Sequence, residues 1–222
     1  LNEKKVIGEK AIEFVKDGMI VGLGTGSTAY YFTFKLGELV QQGLNIKGVP
    51  TSKKTETLAN ELGIPLVSFN EIEQIDVAVD GADEVDADLN LIKGGGGALL
   101  REKIIAASAK TFIVIADSHK NVDTLGTFPL PVEVVPFGLG MTIKHIRDLG
   151  GKTELRQQQG KPFLTDNGNY ILDTKFQEIK EPKELEKNLN LIPGVVDNGL
   201  FVGMAEAVIT IIDKKLVTVF RK

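Results

Sequence analysis

Hydrophobic and polar positions follow two periods along the first half of the chain. Val6, Ile7, Ala11, Phe14 and Val15 recur at helical spacing and stop at Asp17-Gly18, so the spacing predicts a first helix ending where glycine can take the left-handed conformation. Residues 19–23 read as a buried strand. After a glycine-rich turn, residues 29–42 read as a second helix closed by Gly43. Strand-sized apolar runs recur at 46–49, 64–67, 75–79 and 112–116, with helix-period segments at 53–62 and 97–110. An acidic and then glycine-rich loop fills 80–96. This alternation predicts an α/β layer of five parallel strands covered by helices.

Near Leu125 the texture changes. Pro129, Pro131 and Pro136 cluster, and Thr165-Asp166-Asn167-Gly168-Asn169 between two apolar triplets reads as a hairpin turn. A second, smaller α+β unit is expected over 128–202, with helices at 142–149 and 181–189 and strands near 130–135, 163–165, 170–174 and 195–201. The strand-like segments 207–211 and 216–220 are expected to rejoin the first domain, which then comprises 1–127 plus 203–222. No repeat at solenoid period and no low-complexity tract interrupts this pattern.

Composition narrows the chemistry. The 222 residues are 42% hydrophobic and 25% charged, enough for a substantial core. The longest apolar runs fall far short of the ~20 residues of a membrane span. The N-terminal residues lead into an amphipathic pattern without an apolar signal core, so a cytoplasmic location is expected. With no cysteine, disulfides, thiol nucleophiles and thiolate metal sites drop out. His119 and His145 are too far apart in sequence to form a local metal-ligand pair, and the net charge of -4 gives no general attraction for nucleic acid.

Gly24-Thr25-Gly26-Ser27-Thr28 lies between a predicted strand and a predicted helix, where backbone N–H groups and the helix dipole collect an anion. Hydroxyls of Thr25, Ser27 and Thr28 add donors suited to a phosphate. Ser27 breaks the dinucleotide fingerprint, no acidic residue ends the next strand, and no Gly-Lys-Ser/Thr follows. The plainer reading is a tight turn that needs small residues. Asp80-Gly81-Ala82-Asp83-Glu84 lies just past a buried strand, at the edge where open α/β sheets bind ligands. Its alternatives are a solvated acidic loop or a cation site. Just beyond it, Asp86-x-Asp88-x-Asn90 begins like a calcium loop but fails as one, because Leu91 replaces the required glycine and Gly97 the bidentate glutamate.

Lys93-Gly94-Gly95-Gly96-Gly97 is the most informative segment, since four consecutive glycines carry an entropy cost that a mere connection would not need. A lysine at its head and a helix at its tail suit an enolate-like oxygen, against the alternative of a flexible linker. On that helix Glu102 shares a stripe with Ala98, Ile105, Ala106 and Ala109, where desolvation would tune a carboxylate for taking and returning a carbon-bound proton. An exposed glutamate between Arg101 and Lys103 is the ordinary alternative. Lys120, at the end of the fifth predicted strand, is a candidate partner for phosphate or the aspartates, or a solvated lysine.

These segments, together with Ser52-x-x-Thr55, Arg101-Glu102-Lys103 and 128–134, resemble in order the blocks of the ribose-5-phosphate isomerase A family, over essentially the whole chain. The resemblance implies a Rossmann-like domain joined to a smaller ferredoxin-like one, a homo-oligomer (dimer or tetramer), no cofactor and no metal, and a place in the pentose phosphate pathway. It implies substrate binding at Thr25, Gly26, Ser27 and Thr28, at Asp80, Gly81, Ala82 and Asp83, at Lys93, Gly94, Gly95 and Gly96, and at Lys120. Glu102 would be the proton acceptor, with Asp80, Asp83 and Lys93 as its catalytic companions. Two other readings stand beside it. A CoA-transferase-like enzyme would use the glycine-rich turn with a glutamate nucleophile, and a sugar-phosphate sensor would bind without turnover but normally carries a DNA-reading module.

Overall fold

The computed structural model describes residues 2–221. In chain order its first elements are α1 (Glu3–Lys10), β1 (Ile20–Leu23), α2 (Ser27–Gln41), β2 (Lys47–Pro50), α3 (Lys53–Glu61) and β3 (Ile75–Gly81). Then come β4 (Glu84–Val85), β5 (Leu91–Ile92), α4 (Leu99–Ser108), β6 (Ala109–Ile115), β7 (Leu130–Val134), α5 (Leu139–Asp148) and β8 (Lys152–Leu155). The remainder are β9 (Gln157–Gln158), β10 (Lys161–Pro162), β11 (Tyr170–Lys175), α6 (Pro182–Asn190), β12 (Val195–Asn198), β13 (Leu200–Phe201), β14 (Ala207–Ile212) and β15 (Lys215–Phe220). The chain divides into two compact units. One holds the residues up to Ala82, Arg101–Asn121 and the residues from Met204 on; the other holds Asp83–Leu100 and Val122–Gly203.

The first unit is built on a six-stranded sheet in the order β15-β14-β6-β3-β1-β2. From β14 to β2 all neighbours are parallel, and β15 adds an antiparallel edge. Asp213 and Lys214 join β14 to β15 with φ of 49° and 62°, the left-handed pair that a two-residue hairpin requires. Ile7, Val21, Leu23, Phe32, Leu36, Val77 and Ile113 belong to its core and are at most 2% exposed. Each such side chain contributes roughly 1.5–3 kcal/mol by leaving water.

Five parallel strands are present, but not the five that periodicity selects. Residues 64–67 make only one bridge, Gly48 to Leu66: Gly48 donates to the Pro65 carbonyl (2.7 Å) and Val67 to the Gly48 carbonyl (3.0 Å). Pro65 has no N–H to extend the ladder. The fifth parallel strand is β14, from the C-terminal segment expected to return.

In the second unit β7, α5, β8, β11, α6 and β12 form a βαββαβ arrangement with sheet order β12-β7-β11-β8, the ferredoxin-like pattern. Leu130, Val132, Val134, Ile146, Leu172 and Leu189 fill its core. Here too pairing departs from expectation. The 165–169 turn forms, with Gly168 donating to the Thr165 carbonyl at 2.9 Å. However, β11 pairs with β7 and with the unexpected strand β8, not with 163–165. Residues 195–201 split at Gly199 into β12 and β13. A Cβ at Gly199 would lie 2.3 Å from the Lys93 carbonyl oxygen.

Residues 83–100, which the alternating strand and helix pattern assigns to the first domain, fall in the second unit. Their strands account for this: β4 pairs with β5, and β5 with β13.

Candidate active site

In the first unit the β1–α2 turn runs directly over Asp80, the penultimate residue of β3. A Cβ on Gly24 would lie 2.3 Å from Asp80 Oδ1 and 2.6 Å from its Cα, so only glycine fits. Asp80 is 2% exposed, and its Oδ1 accepts N–H donors from Thr25 (3.0 Å) and Gly81 (2.7 Å). Such donors fix its orientation. The turn thus does two things: it opens α2 and it pins an aspartate.

Thr25 is committed on both its groups. Its N–H serves Asp80, and its hydroxyl lies 2.7, 2.7 and 2.9 Å from the hydroxyls of Thr51, Ser52 and Thr55. Thr51 and Thr55 in turn donate to the carbonyls of Leu23 and Gly24. This network braces the turn against the end of β2 and the start of α3, where Ser52 caps the helix by accepting from the Thr55 N–H. Thr25 thus braces the turn, with its hydroxyl inside this cluster.

Gly26, at φ 118°, lets the chain enter α2, whose first N–H groups lack intrahelical acceptors. Ser27 is exposed and Thr28 is buried. Lys4, which sequence reasoning passed over, donates from Nζ to Ser27 Oγ at 2.9 Å and stands 4.0 Å from Asp117. The signal was available only indirectly. Gly8 lets α1 press on α2, since a Cβ there would lie 2.9 Å from the Thr28 carbonyl oxygen and the Phe32 nitrogen. That contact brings the lysine one turn earlier to the mouth of the turn. A cavity of about 780 Å³ opens here, lined by Lys4, Thr25, Gly26, Ser27, Tyr31 and Lys54 among others.

Glu102 lies in the first turn of α4 and is 4% exposed, against the half-buried Arg101 and Lys103 on either side. Because α4 runs into β6, parallel to β3, the helix must run back along the sheet. Its first turn therefore faces the strands' carboxyl edge, where Asp80 lies next to the end of β3. One turn on, Ile105 packs over Gly22, where a Cβ would lie 2.6 Å from Ile105 Cγ2. Of the apolar stripe expected around Glu102, Ile105 and Ala106 are buried on α4, whereas Ala98 precedes the helix and Ala109 already begins β6.

Lys120 closes a short 3₁₀ turn after β6, is half-buried, and donates its N–H to the Asp117 carbonyl. The turn is anchored by Glu3, whose carboxylate accepts from the Ser118 N–H (3.0 Å) and hydroxyl (2.9 Å). Those bonds, the backbone one first, hold the Glu3 carboxyl below the usual glutamate range. His119 and His145 are both exposed.

In the second unit, Glu84 fixes the acidic loop through donors from the Gly126 and Phe128 N–H groups. Its neighbour Asp83 accepts from the Gly95 N–H at 2.7 Å. A Cβ on Gly95 would lie 2.6 Å from Asp83 Oδ1, so the glycine run permits this approach. Lys93 is 2% exposed and its Nζ lies 5.3 Å from the centroid of the Phe201 ring. Gly94 and Gly97 take φ of 100° and 82°, and Gly97 donates to the Gly94 carbonyl. The N–H groups of Gly95 and Gly97 are therefore engaged within the loop and its aspartate. The run is held in place, as close approach requires, and is not a linker.

Asp86 uses both oxygens within its own turn, accepting from Asp88 and Asn90. Among the described residues no three of His, Asp and Glu gather as a metal-ligand set, and no helix is long and apolar enough to cross a membrane.

The sequence model of the family described as Ribose 5-phosphate isomerase A (phosphoriboisomerase A) matches residues 47–214. Ribose-5-phosphate isomerase A of Bacillus mycoides is 55% identical over 205 residues, covering 92% of this chain and 93% of the relative. A solved D-ribose-5-phosphate isomerase in complex with phospho-erythronic acid superposes with a TM-score of 0.96 at 45% identity, covering all of both chains. Ribose 5-phosphate isomerase A of Methanocaldococcus jannaschii does so at 0.93 and 41%, covering 98% of this chain and 97% of its own. These likenesses span both units, and the chain belongs to the ribose 5-phosphate isomerase A family.

Proposed function

We propose that this chain interconverts D-ribose 5-phosphate and D-ribulose 5-phosphate through an enediolate, in the non-oxidative branch of the pentose phosphate pathway. The observation that carries the reading is the pairing of a buried, doubly hydrogen-bonded Asp80 with a helix-opening turn at the carboxyl edge of a parallel sheet. Family membership supports the choice of substrate, as does the phospho-sugar acid bound to the similar solved isomerase.

In this reading the α2 N-terminus, Gly26, Ser27 and Thr28 receive the phosphate, with Lys4 adding charge through its place beside Ser27. Thr25 joins Gly26 and Ser27 in lining the cavity while its hydroxyl braces the turn. Asp80 opens the sugar ring and, with Asp83, moves the hydroxyl proton from O2 to O1. Glu102 removes the proton from C2 and returns it to C1, its burial giving it the low-dielectric surroundings a carbon-acid base needs. Lys93 offsets the negative charge of the enediolate, and the glycine loop allows close approach. Gly81, Ala82 and Lys120 complete the binding surface.

The same reading makes the protein metal-independent, cytoplasmic and homo-oligomeric. Purified protein incubated with ribose 5-phosphate and a chelator should produce ribulose 5-phosphate at the untreated rate. Binding without turnover would refute the isomerase assignment, and a chelator-sensitive rate would refute metal independence. Light scattering should give a mass at least twice that of one chain.

A further inference from the structure

Arg156 follows β8 in the second unit, and its side chain grips two partners. Nε and Nη2 donate to the two oxygens of Asp173 on β11, the first at 2.9 Å. Nη1 forks onto the carbonyl oxygens of Gly94 (3.0 Å) and Gly95 (3.1 Å). The guanidinium also stands 5.9 Å from the centroid of the Phe163 ring, and that ring occupies the place a Cβ on Gly97 would take, 2.4 Å away. One arginine and one phenylalanine thus touch the loop at three of its four glycines.

The backbone around Arg156 is itself fixed. Its N–H donates to the Ile171 carbonyl and its carbonyl accepts from the Phe163 N–H, each at 2.9 Å. The side chain is 15% exposed, so the fork is largely shielded from water. A simple strap between strands would not explain this arrangement, because β8 and β11 are already in register over four residue pairs. Nor does the pair add net charge, since Asp173 balances Arg156. What remains is geometry.

A trans peptide sets its C=O and N–H in opposite directions. Holding the Gly94 carbonyl on the Arg156 side turns the Gly95 N–H the other way, where Asp83 accepts it. Holding the Gly95 carbonyl on the same side turns the Gly96 N–H away from Arg156 as well. Successive N–H groups presented on one side form an anion-receiving concavity.

We propose that Arg156, oriented by Asp173, is a positioning residue that aims the Gly95 and Gly96 peptides, and with them the Asp83 carboxylate, at the reacting sugar. This rests on the isomerase reading. The wild-type turnover assay tests that reading by itself, and the variants below are compared only with active wild type.

Arg156→Ala should lower kcat about 100-fold, as misplacement on the order of 1 Å does, while KM stays within about threefold because the phosphate contacts lie elsewhere. Added guanidinium chloride, below denaturing concentration, should restore part of the lost kcat. Arg156→Lys should remain impaired, since an ammonium cannot make the planar fork to two carbonyls while holding both carboxylate oxygens. Asp173→Asn, which keeps shape but frees the guanidinium, should lose kcat to a smaller degree at unchanged KM. Near-wild-type kcat in Arg156→Ala, or in Arg156→Lys if the alanine variant does not fold, would overturn the proposal. So would a kcat loss that guanidinium does not relieve and that merely tracks the folded fraction measured by circular dichroism.

Discussion

A carboxylate that is 4% exposed in the first turn of a helix, flanked by half-buried Arg101 and Lys103, sits where solvent cannot level its reactivity. Glu102→Gln keeps the shape of that side chain and removes the base. A kcat loss of about 100-fold to 10,000-fold is expected, with KM changed little, because only the proton-transfer step loses an interaction. Steady-state kinetics on the folded variant checks it, and retained turnover would refute the role given to Glu102. The residue's helical stripe was visible in the sequence, since Ile105 and Ala106 repeat on its face. Thr25 shows the opposite case. Its residue type suits phosphate binding, yet its hydroxyl is surrounded by those of Thr51, Ser52 and Thr55, positions 26 to 30 residues away in the chain. No local pattern announces such a cluster.

At the level of elements, the β1–α2 turn is the part whose tolerance is narrowest. Gly24→Ala puts a methyl carbon against the backbone and carboxylate of Asp80, which a side-chain rotation cannot relieve. Overpacking of this kind costs about 1–3 kcal/mol, and displacement of the turn should raise KM for the sugar phosphate as well as lower kcat. A variant with wild-type kinetics would show that the turn does not set the site. Helices were well read from periodicity, because an amphipathic stripe is a local property: α2, α3, α5 and α6 lie within a few residues of their expected spans. Strand pairing was read less well. The 64–67 run has strand composition, but Pro65 and the absence of a partner beyond Gly48 leave it a single bridge. The apolar segments around 163–172 suggested a hairpin, whereas β11 pairs with β7 and with β8, whose Lys-Thr-Glu-Leu residues alternate between exposed and half-buried.

On the scale of the whole molecule, pairing between distant segments governs stability and its response to pH. Asp76 on β3 accepts from the Ile20 N–H that begins β1, and Lys110 of β6 stands 2.9 Å from it. These bonds, that to Ile20 first, hold its carboxyl below the ordinary value of 3.8. A depressed pKa stabilises the fold above the unfolded value, and this contribution disappears as pH falls through the lower folded value. Asp76→Asn should therefore cost on the order of 1 kcal/mol near neutral pH and show a smaller further loss on acidification than wild type. Urea unfolding from neutral pH down to about 3 measures the difference, and parallel pH profiles for the two proteins would exclude the linkage.

The sequence by itself determined which residue types were on hand and where the chain would be helical, because capping, period and glycine content act over a few positions. It carried the blocks that mark the family, including the glycine run and the aspartates Asp80 and Asp83 at and just past the end of β3. Tertiary structure decided what those residues touch. Only folding shows that Lys4 meets Ser27, that Leu91–Ile92 pairs with Leu200–Phe201, and that Arg156 reaches the carbonyls of Gly94 and Gly95 from 62 and 61 residues away. The reason is physical: a hydrogen bond between distant segments depends on sheet order and on where two backbones approach, and neither is encoded in the spacing of neighbours.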